Sequence, residues 1–180
     1  MFGSNRLVDA AQDGLLDIVK REIDKGVDVN KPGFFKMTAL MGAASNGHDD
    51  VVRFLLEQSE TDVDVLNAGG TTALMTAARG GHLETVKILL DDPRCDVNRL
   101  GKWGGTALMN AAGFGNMDVV KELLKHDNIS LAETYTDKNH SPITIAKQNG
   151  FDDIAELLES FEAKRKQTRK SSPRPKRPGM

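Results

Sequence analysis

The sequence repeats itself. Thr38-Ala39-Leu40 recurs as Thr72-Ala73-Leu74, as Thr106-Ala107-Leu108 and, weakened, as Ser141-Pro142-Ile143, at spacings of 34, 34 and 35 residues. A fixed period of this size marks a stack of small units, each burying its apolar face only against its neighbours. Folds built around one central core are thereby disfavoured before any helix is assigned. An Ala pair follows the Leu in Ala43-Ala44, Ala77-Ala78 and Ala111-Ala112; Ala10-Ala11 holds the same place after Leu7, and the last copy keeps only Ala146. Glycine closes these segments at Gly14, Gly47, Gly81, Gly115 and Gly150. An apolar pattern then follows each: Ile18-Val19-Ile23, Val51-Val52-Leu55-Leu56, Val86-Leu89-Leu90, Val119-Val120-Leu123-Leu124 and Ile154-Leu157-Leu158, making five copies in all.

Each copy reads as two short helices. Thr or Ser before the Ala-rich stretch is a good N-cap, because its hydroxyl accepts from an amide that the first helical turn leaves unpaired. Small Ala residues let this inner helix approach its neighbours, and glycine ends it cheaply. Apolar residues three and four apart mark the second helix as amphipathic. Asp-Val-Asn at 28–30 and 96–98, with Asp62-Val63-Asp64 as a variant, then leads into Gly-containing loops that read as hairpin-like fingers.

With these residues in view the copies resemble ankyrin repeats, whose pattern runs Thr-Pro-Leu-His, Ala-Ala, Gly-His, Val-Val, Leu-Leu and Asp-Val-Asn. The matching residues include Ala43-Ala44-Ser45-Asn46-Gly47-His48, Ala77-Ala78-Arg79-Gly80-Gly81-His82-Leu83-Glu84 and Ser141-Pro142-Ile143. The resemblance implies an all-α solenoid of stacked helix-turn-helix pairs with finger loops, with repeats at about 5–33, 34–67, 68–101, 102–136 and 137–161. The family's Pro is Ala at 39, 73 and 107, and its His is Met at 41, 75 and 109, so the inter-repeat hydrogen bond expected of that His is missing there. The second and third copies carry one extra residue, in Ser59-Glu60-Thr61 and Asp92-Pro93-Arg94, and 128–136 fits the finger pattern poorly.

End repeats have to cover a core that would otherwise meet water. Arg21 and Glu22 replace the apolar Phe54 and Leu55 of the second copy, and Asp152, Asp153, Glu156 and Glu159 surround the apolar residues of the last. Residues 1–161 are read as the repeat domain and 162–180 as a basic tail. The tail holds eight Lys or Arg against Glu162 alone, so a chain of net charge -2 divides into a body of -9 and a tail of +7. Without an apolar residue from Gln167 to Gly179, nothing offsets the entropy of ordering, and the tail is expected to be disordered. Lys164-Arg165-Lys166 and Arg174-Pro175-Lys176-Arg177 resemble the clusters of a nuclear import signal, although a solvated tail or one touching nucleic acid fits as well. Ser172, before Pro173, is a candidate for phosphorylation.

No long apolar run marks a membrane span or a secretory signal, and Cys95, the only cysteine, has no internal partner. A soluble, monomeric protein of the cytoplasm or nucleus is the expectation. His48 and His82 stand one period apart in the Gly-His position, which assigns them to the fold rather than to a metal or to acid–base chemistry. His126 and His140 have no Cys or paired His at ligand spacing, Cys95 has no CxxC partner, and Gly101-Lys102-Trp103-Gly104-Gly105-Thr106 lacks the residue order of a phosphate loop. Catalytic residues, metals and cofactors are therefore not expected.

Ankyrin proteins, by resemblance, bind partners through finger tips and the exposed side of the inner helices. Those positions hold Phe34, Phe35 and Met37 in one finger, Lys102 and Trp103 in another, Tyr135 near the fifth, and Phe114 at the end of an inner helix. Large aromatics exposed at loop tips are typical interface anchors, or else rings that fold back to pack finger against finger. Ser45, Asn46, Arg79, Lys138, His140, Gln148 and Asn149 are the polar neighbours. The expected function is a non-catalytic scaffold, an adaptor or inhibitor binding one protein on a concave surface. The alternative is a nuclear factor whose basic tail contacts nucleic acid or an import receptor.

Overall fold

A computed structural model describes residues 5–131 and 141–171, with side chains as far as Thr168. Among these residues there are ten α-helices and no strand. They pair as α1 (Arg6–Gln12) with α2 (Leu16–Asp24), α3 (Ala39–Asn46) with α4 (Asp49–Leu56), α5 (Ala73–Gly80) with α6 (Leu83–Asp91), α7 (Ala107–Gly113) with α8 (Met117–Leu123), and α9 (Pro142–Gln148) with α10 (Asp152–Ser171). The odd-numbered inner helices stack in one row and the even-numbered outer helices in a second. The inner row is the more closely packed, an asymmetry that bends a solenoid towards its inner helices.

The caps that the sequence predicts are present. Thr38, Thr72 and Thr106 accept from the amides of Met41, Met75 and Met109 at 3.3, 3.2 and 3.2 Å. Ser141 forms a capping box with Thr144. Gly47 and Gly81 end α3 and α5 in the left-handed region, at φ 71° and 74°. The fully buried Ala43-Ala44, Ala77-Ala78 and Ala111-Ala112 form the floor between inner helices, and Val51, Leu55, Val86, Leu89, Val120 and Leu123 seal the outer row onto it. The core is one continuous seam from Leu7 to Leu158.

Met41 and Met75 are buried in that seam and Met109 is buried outside it, so all three contribute packing where the family places a polar histidine. The cross-repeat hydrogen bonds that recur from repeat to repeat come from two other places. At the ends of the inner helices, His48 Nε2 lies 2.9 Å from the Gln12 carbonyl and His82 Nε2 lies 3.0 Å from that of Ser45. Asn116 and Asn149 donate in the same manner to Ala78 and Gly113, both at 2.8 Å. A carbonyl can only accept, so each imidazole carries its hydrogen on Nε2. Below the fingers, Asn30 donates to the Glu60 carbonyl at 2.6 Å and accepts from the Asp62 amide at 2.8 Å. Asn98 repeats this one period pair later, with Asn128 and Ser130 at 2.8 Å each.

The extra residue in the second and third copies has a structural use. It shapes turns into which Arg94 reaches back, donating to the carbonyls of Leu56, Gln58, Ser59 and Thr61 at 2.7 to 3.3 Å. Asp92 holds the guanidinium from the other side at 2.6 Å.

Two expectations about the ends need correction. Arg21 is exposed, but Glu22 is buried, its carboxylate held by Lys25 at 2.9 Å and Arg6 at 3.7 Å. The Lys25 hydrogen bond keeps that carboxyl below the usual range. The basic segment is not disordered from 162: α10 continues to Ser171. Lys, Arg, Gln and Ala favour helix on their own. Lys166 pairs with Glu162 at 3.0 Å, and Arg165 donates to the carbonyls of Ile129 and Asp127 at 2.5 and 3.3 Å. Polar contacts thus order this stretch where apolar ones are lacking. Residues 172–180, with Ser172 and the second basic cluster, lie outside the described residues.

Candidate functional site

The fingers are closed loops of one design. Backbone amides of Gly33, Asn67 and Gly101 donate to the carbonyls of Met37, Thr71 and Gly105 at 2.8, 3.1 and 2.9 Å, one period apart each time. Three residues form each tip: Phe34-Phe35-Lys36, Ala68-Gly69-Gly70 and Lys102-Trp103-Gly104. Neighbouring tips are joined by the bonds Ala68 N to Phe35 O, 2.7 Å, and Lys102 N to Gly70 O, 3.1 Å.

This register places Phe35 and Trp103 at the same tip position two repeats apart, with glycine between them. The two rings are 80% and 71% exposed. At its exposure Phe35 is not packed against the described second finger, the packing alternative that the sequence left open. The third tip position adopts the left-handed region in all three fingers, by Gly70 at φ 74° and Gly104 at φ 76°, but by Lys36 at φ 58° in the first. Phe35 beside it is left-handed too, at φ 52°. Such a conformation costs a residue with a β-carbon about 1 kcal/mol or more. The first finger therefore holds two strained residues in succession while presenting its most exposed ring.

A second cluster lies at the far end of the inner helices, about 10 Å away along the seven residues of α7. Phe114 is 59% exposed, and the Arg79 guanidinium sits 5.7 Å from its ring centre. At the tips Lys102 covers Trp103 similarly, at 5.1 Å. Gly42, Thr76 and Asn110 occupy equivalent inner-helix positions between the clusters; Thr76 and Asn110 bond to carbonyls of their own helices. The floor there is small and polar.

The other positions singled out in the sequence fall differently. Phe34 is 52% exposed and stays with the tip cluster. Met37 packs against the core, its sulfur accepting from Asn67 at 3.2 Å. Ser45 bonds to the Gly42 carbonyl at 2.9 Å, and Asn46 is exposed but donates to Gln12, one repeat back, at 2.8 Å. Gln148 is exposed, and Asn149 is tied to Gly113. Tyr135, Lys138 and His140 lie outside the described residues. Lys36 in the first tip, and Arg99 and the 40%-exposed Leu100 before the third, were missed. Their signal was positional, since each stands within four residues of a predicted tip aromatic.

Among the described residues no group of three or more His, Cys, Asp or Glu could hold a metal ion, and no helix is long and apolar enough to cross a membrane. The Cys95 thiol is pushed up to about 12 by burial, with Asp64, Asp92 and Asp96 adding to the effect. A thiol so held is a poor nucleophile at neutral pH.

Comparison with known proteins agrees with the repeat geometry. Residues 7–101 and 93–168 match the family model described as ankyrin repeats in three copies. No curated relative matches the sequence.

Proposed function

The chain belongs to the ankyrin-repeat family, whose members are generally protein–protein interaction modules, and from that premise we propose that it is a non-catalytic adaptor or inhibitor. Its partner docks on the finger tips and the exposed side of the inner helices. The observation that carries this reading is the pair Phe35 and Trp103, two large rings 80% and 71% exposed at matching tip positions on a backbone that is strained at the first of them. Exposed aromatics in register on a rigid repeat array have the character of interface anchors, because they bury much area at little conformational cost. Folding does not need them, since the intervening finger closes with Ala68-Gly69-Gly70 at the same positions.

Affinity capture from cells tests the proposal, comparing intact protein, a Phe35→Ala/Trp103→Ala variant and a chain ending at residue 171. Loss of the captured partner in the aromatic variant, with unchanged thermal unfolding, is the expected result. Capture lost only on truncation would transfer the function to the basic terminal segment.

A further inference from the structure

The charges of the chain are sorted by face. No Asp or Glu occurs from Asn30 to Gly47, from Val65 to Gly81 or from Val97 to Asn116, the three stretches that build the fingers and inner helices of the middle repeats. Their charged side chains are Lys31, Lys36, Arg79, Arg99 and Lys102, and all five are exposed. The outer stretches carry the acids: six against Arg53 from His48 to Asp64, and four against Lys87 and Arg94 from His82 to Asp96.

Pairing follows the same division. In the outer stretches of the second to fourth repeats the cations are matched, Arg53 with Glu84 at 2.8 Å, Lys87 with Glu84 at 3.6 Å, Arg94 with Asp92 at 2.6 Å and Lys125 with Glu122 at 2.7 Å, whereas among the described residues Lys20 on α2 has only the Phe54 ring, at 5.6 Å. Among the described residues none of the five finger-face cations has a carboxylate partner within 4 Å. Two of them, Arg79 and Lys102, lie instead over the exposed rings of Phe114 and Trp103. Arg79 and Lys102 thus each have an apolar anchor beside them and, among the described residues, no ion-paired carboxylate. In a body of net charge -9 this face is a local positive field, of the kind that selects an anionic partner and speeds its arrival.

From this sorting we infer that the finger and inner-helix face of the middle repeats takes an extended acidic peptide segment that presents apolar side chains and carboxylates together on one of its faces. This deepens the partner-binding reading above and rests on it. Apolar groups of the segment seat on Phe35, Trp103 and Phe114, while its carboxylates meet Lys36, Arg79 and Lys102. A nucleic acid fits the arrangement less well. Duplex DNA carries a charge roughly every 1.7 Å, and five cations spread over three repeats leave most phosphates facing an acidic body. A sparse row of carboxylates matches a sparse row of cations.

The test uses the full chain and fluorescence anisotropy with three dye-labelled probes. One is a peptide in which Glu is mixed with Leu and Phe on the same alternate positions, with Ser between them, one the same peptide with Lys for every Glu, and one a single-stranded oligonucleotide of equal length. Binding of the acidic peptide alone, weakening with added salt and about tenfold weaker in Arg79→Glu/Lys102→Glu, is the expected result. Lys121→Glu on the outer helix α8 makes a charge reversal of the same kind and leaves affinity unchanged if the face itself is responsible. The inference is overturned by equal binding of the two peptides, by an unaffected double variant, or by Lys121→Glu weakening binding as much as a face reversal does. Tighter binding of the oligonucleotide, or self-association by sedimentation that the double variant abolishes, also overturns it. Melting curves of each variant confirm that the stack is intact. Should the acidic peptide fail while the Phe35→Ala/Trp103→Ala variant still loses its cellular partner, the charge claim falls and the docking face stands.

Discussion

The imidazole of His82 lies against Gly47 of the preceding repeat and donates from Nε2 to the Ser45 carbonyl at 3.0 Å. A β-carbon on Gly47 would come within 2.6 Å of the ring's Nδ1, and Gly47 is left-handed as well. Ring and glycine form one joint. Its recurrence in His48 on Gly14, Asn116 on Gly81 and Phe151 on Gly115 shows that the joint needs a flat group more than a histidine. His82→Ala is expected to lower stability by about 1–2 kcal/mol, and His82→Asn by less than half of that. Urea unfolding of the two variants measures the difference.

Asp64 stands where Asn30 and Asn98 stand in their repeats. Its Oδ2 accepts from the Asp96 amide at 2.9 Å, but Oδ1 is buried without a partner. The amides of Asn30 and Asn98 use the same place to donate to a carbonyl of the next turn. Burial lifts the Asp64 carboxyl above the usual range; the Asp96 amide and the Arg99 charge oppose this, and the charges of Asp96 and Asp62 add to the rise. An acid whose folded pKa exceeds its unfolded one binds its proton more tightly when folded. Its favourable contribution is therefore full below the ordinary carboxylate range and is lost as pH rises through the folded pKa. Asp64→Asn is expected to add about 1–2 kcal/mol at neutral pH and to flatten this part of the stability–pH curve. Thermal melts from acid to neutral pH would show both effects, with a gain of about 2–4 °C per kcal/mol for a chain of this size.

Arg94 is a single side chain stapling two repeats. Arg94→Ala removes charge-assisted donors from the carbonyls of Leu56, Gln58, Ser59 and Thr61, with an expected loss of about 2–3 kcal/mol. Arg94→Lys should recover little, since one ammonium cannot span what the planar guanidinium spans. Chemical denaturation read separately at the two ends of the stack would show the loss centred on the second and third repeats.

Cys95 is expected to resist alkylation in the folded protein. With its thiol pushed up to about 12, only a small thiolate fraction exists at pH 8. Labelling by iodoacetamide should be slow natively and rapid in urea. Fast native labelling would contradict the packing at this junction.

Much of the fold was legible because its determinants are local. Thr38 caps a helix with its own hydroxyl, and Gly47 ends one with its own backbone, so both can be read from the sequence beside them. What the sequence hid depends on contacts a period or more away. Met37 looked like a tip residue until Asn67 was seen bonded to its sulfur, and Asn46 looked available until it was found bonded to Gln12. The strain at Phe35 and Lys36 left no trace, because its usual signature, glycine at the third tip position, is present as Gly70 and Gly104 in the other fingers and replaced by Lys36 in this one. The helical course of 162–171 was missed by weighing apolar residues alone, when Arg165 and Glu162 supply the anchoring.

The tip bonds from Ala68 to Phe35 and from Lys102 to Gly70 fix the two outermost rings two repeats apart, with bare backbone between them. Adjacent helix pairs stack about 10 Å apart, so that separation is roughly 20 Å. An extended strand advances about 3.3 Å per residue, and the interval therefore corresponds to about six residues of a bound chain. The array thus sets a length as well as a chemistry: a ligand with its apolar groups crowded closer than this can touch one post at a time, and one spaced to match can hold both.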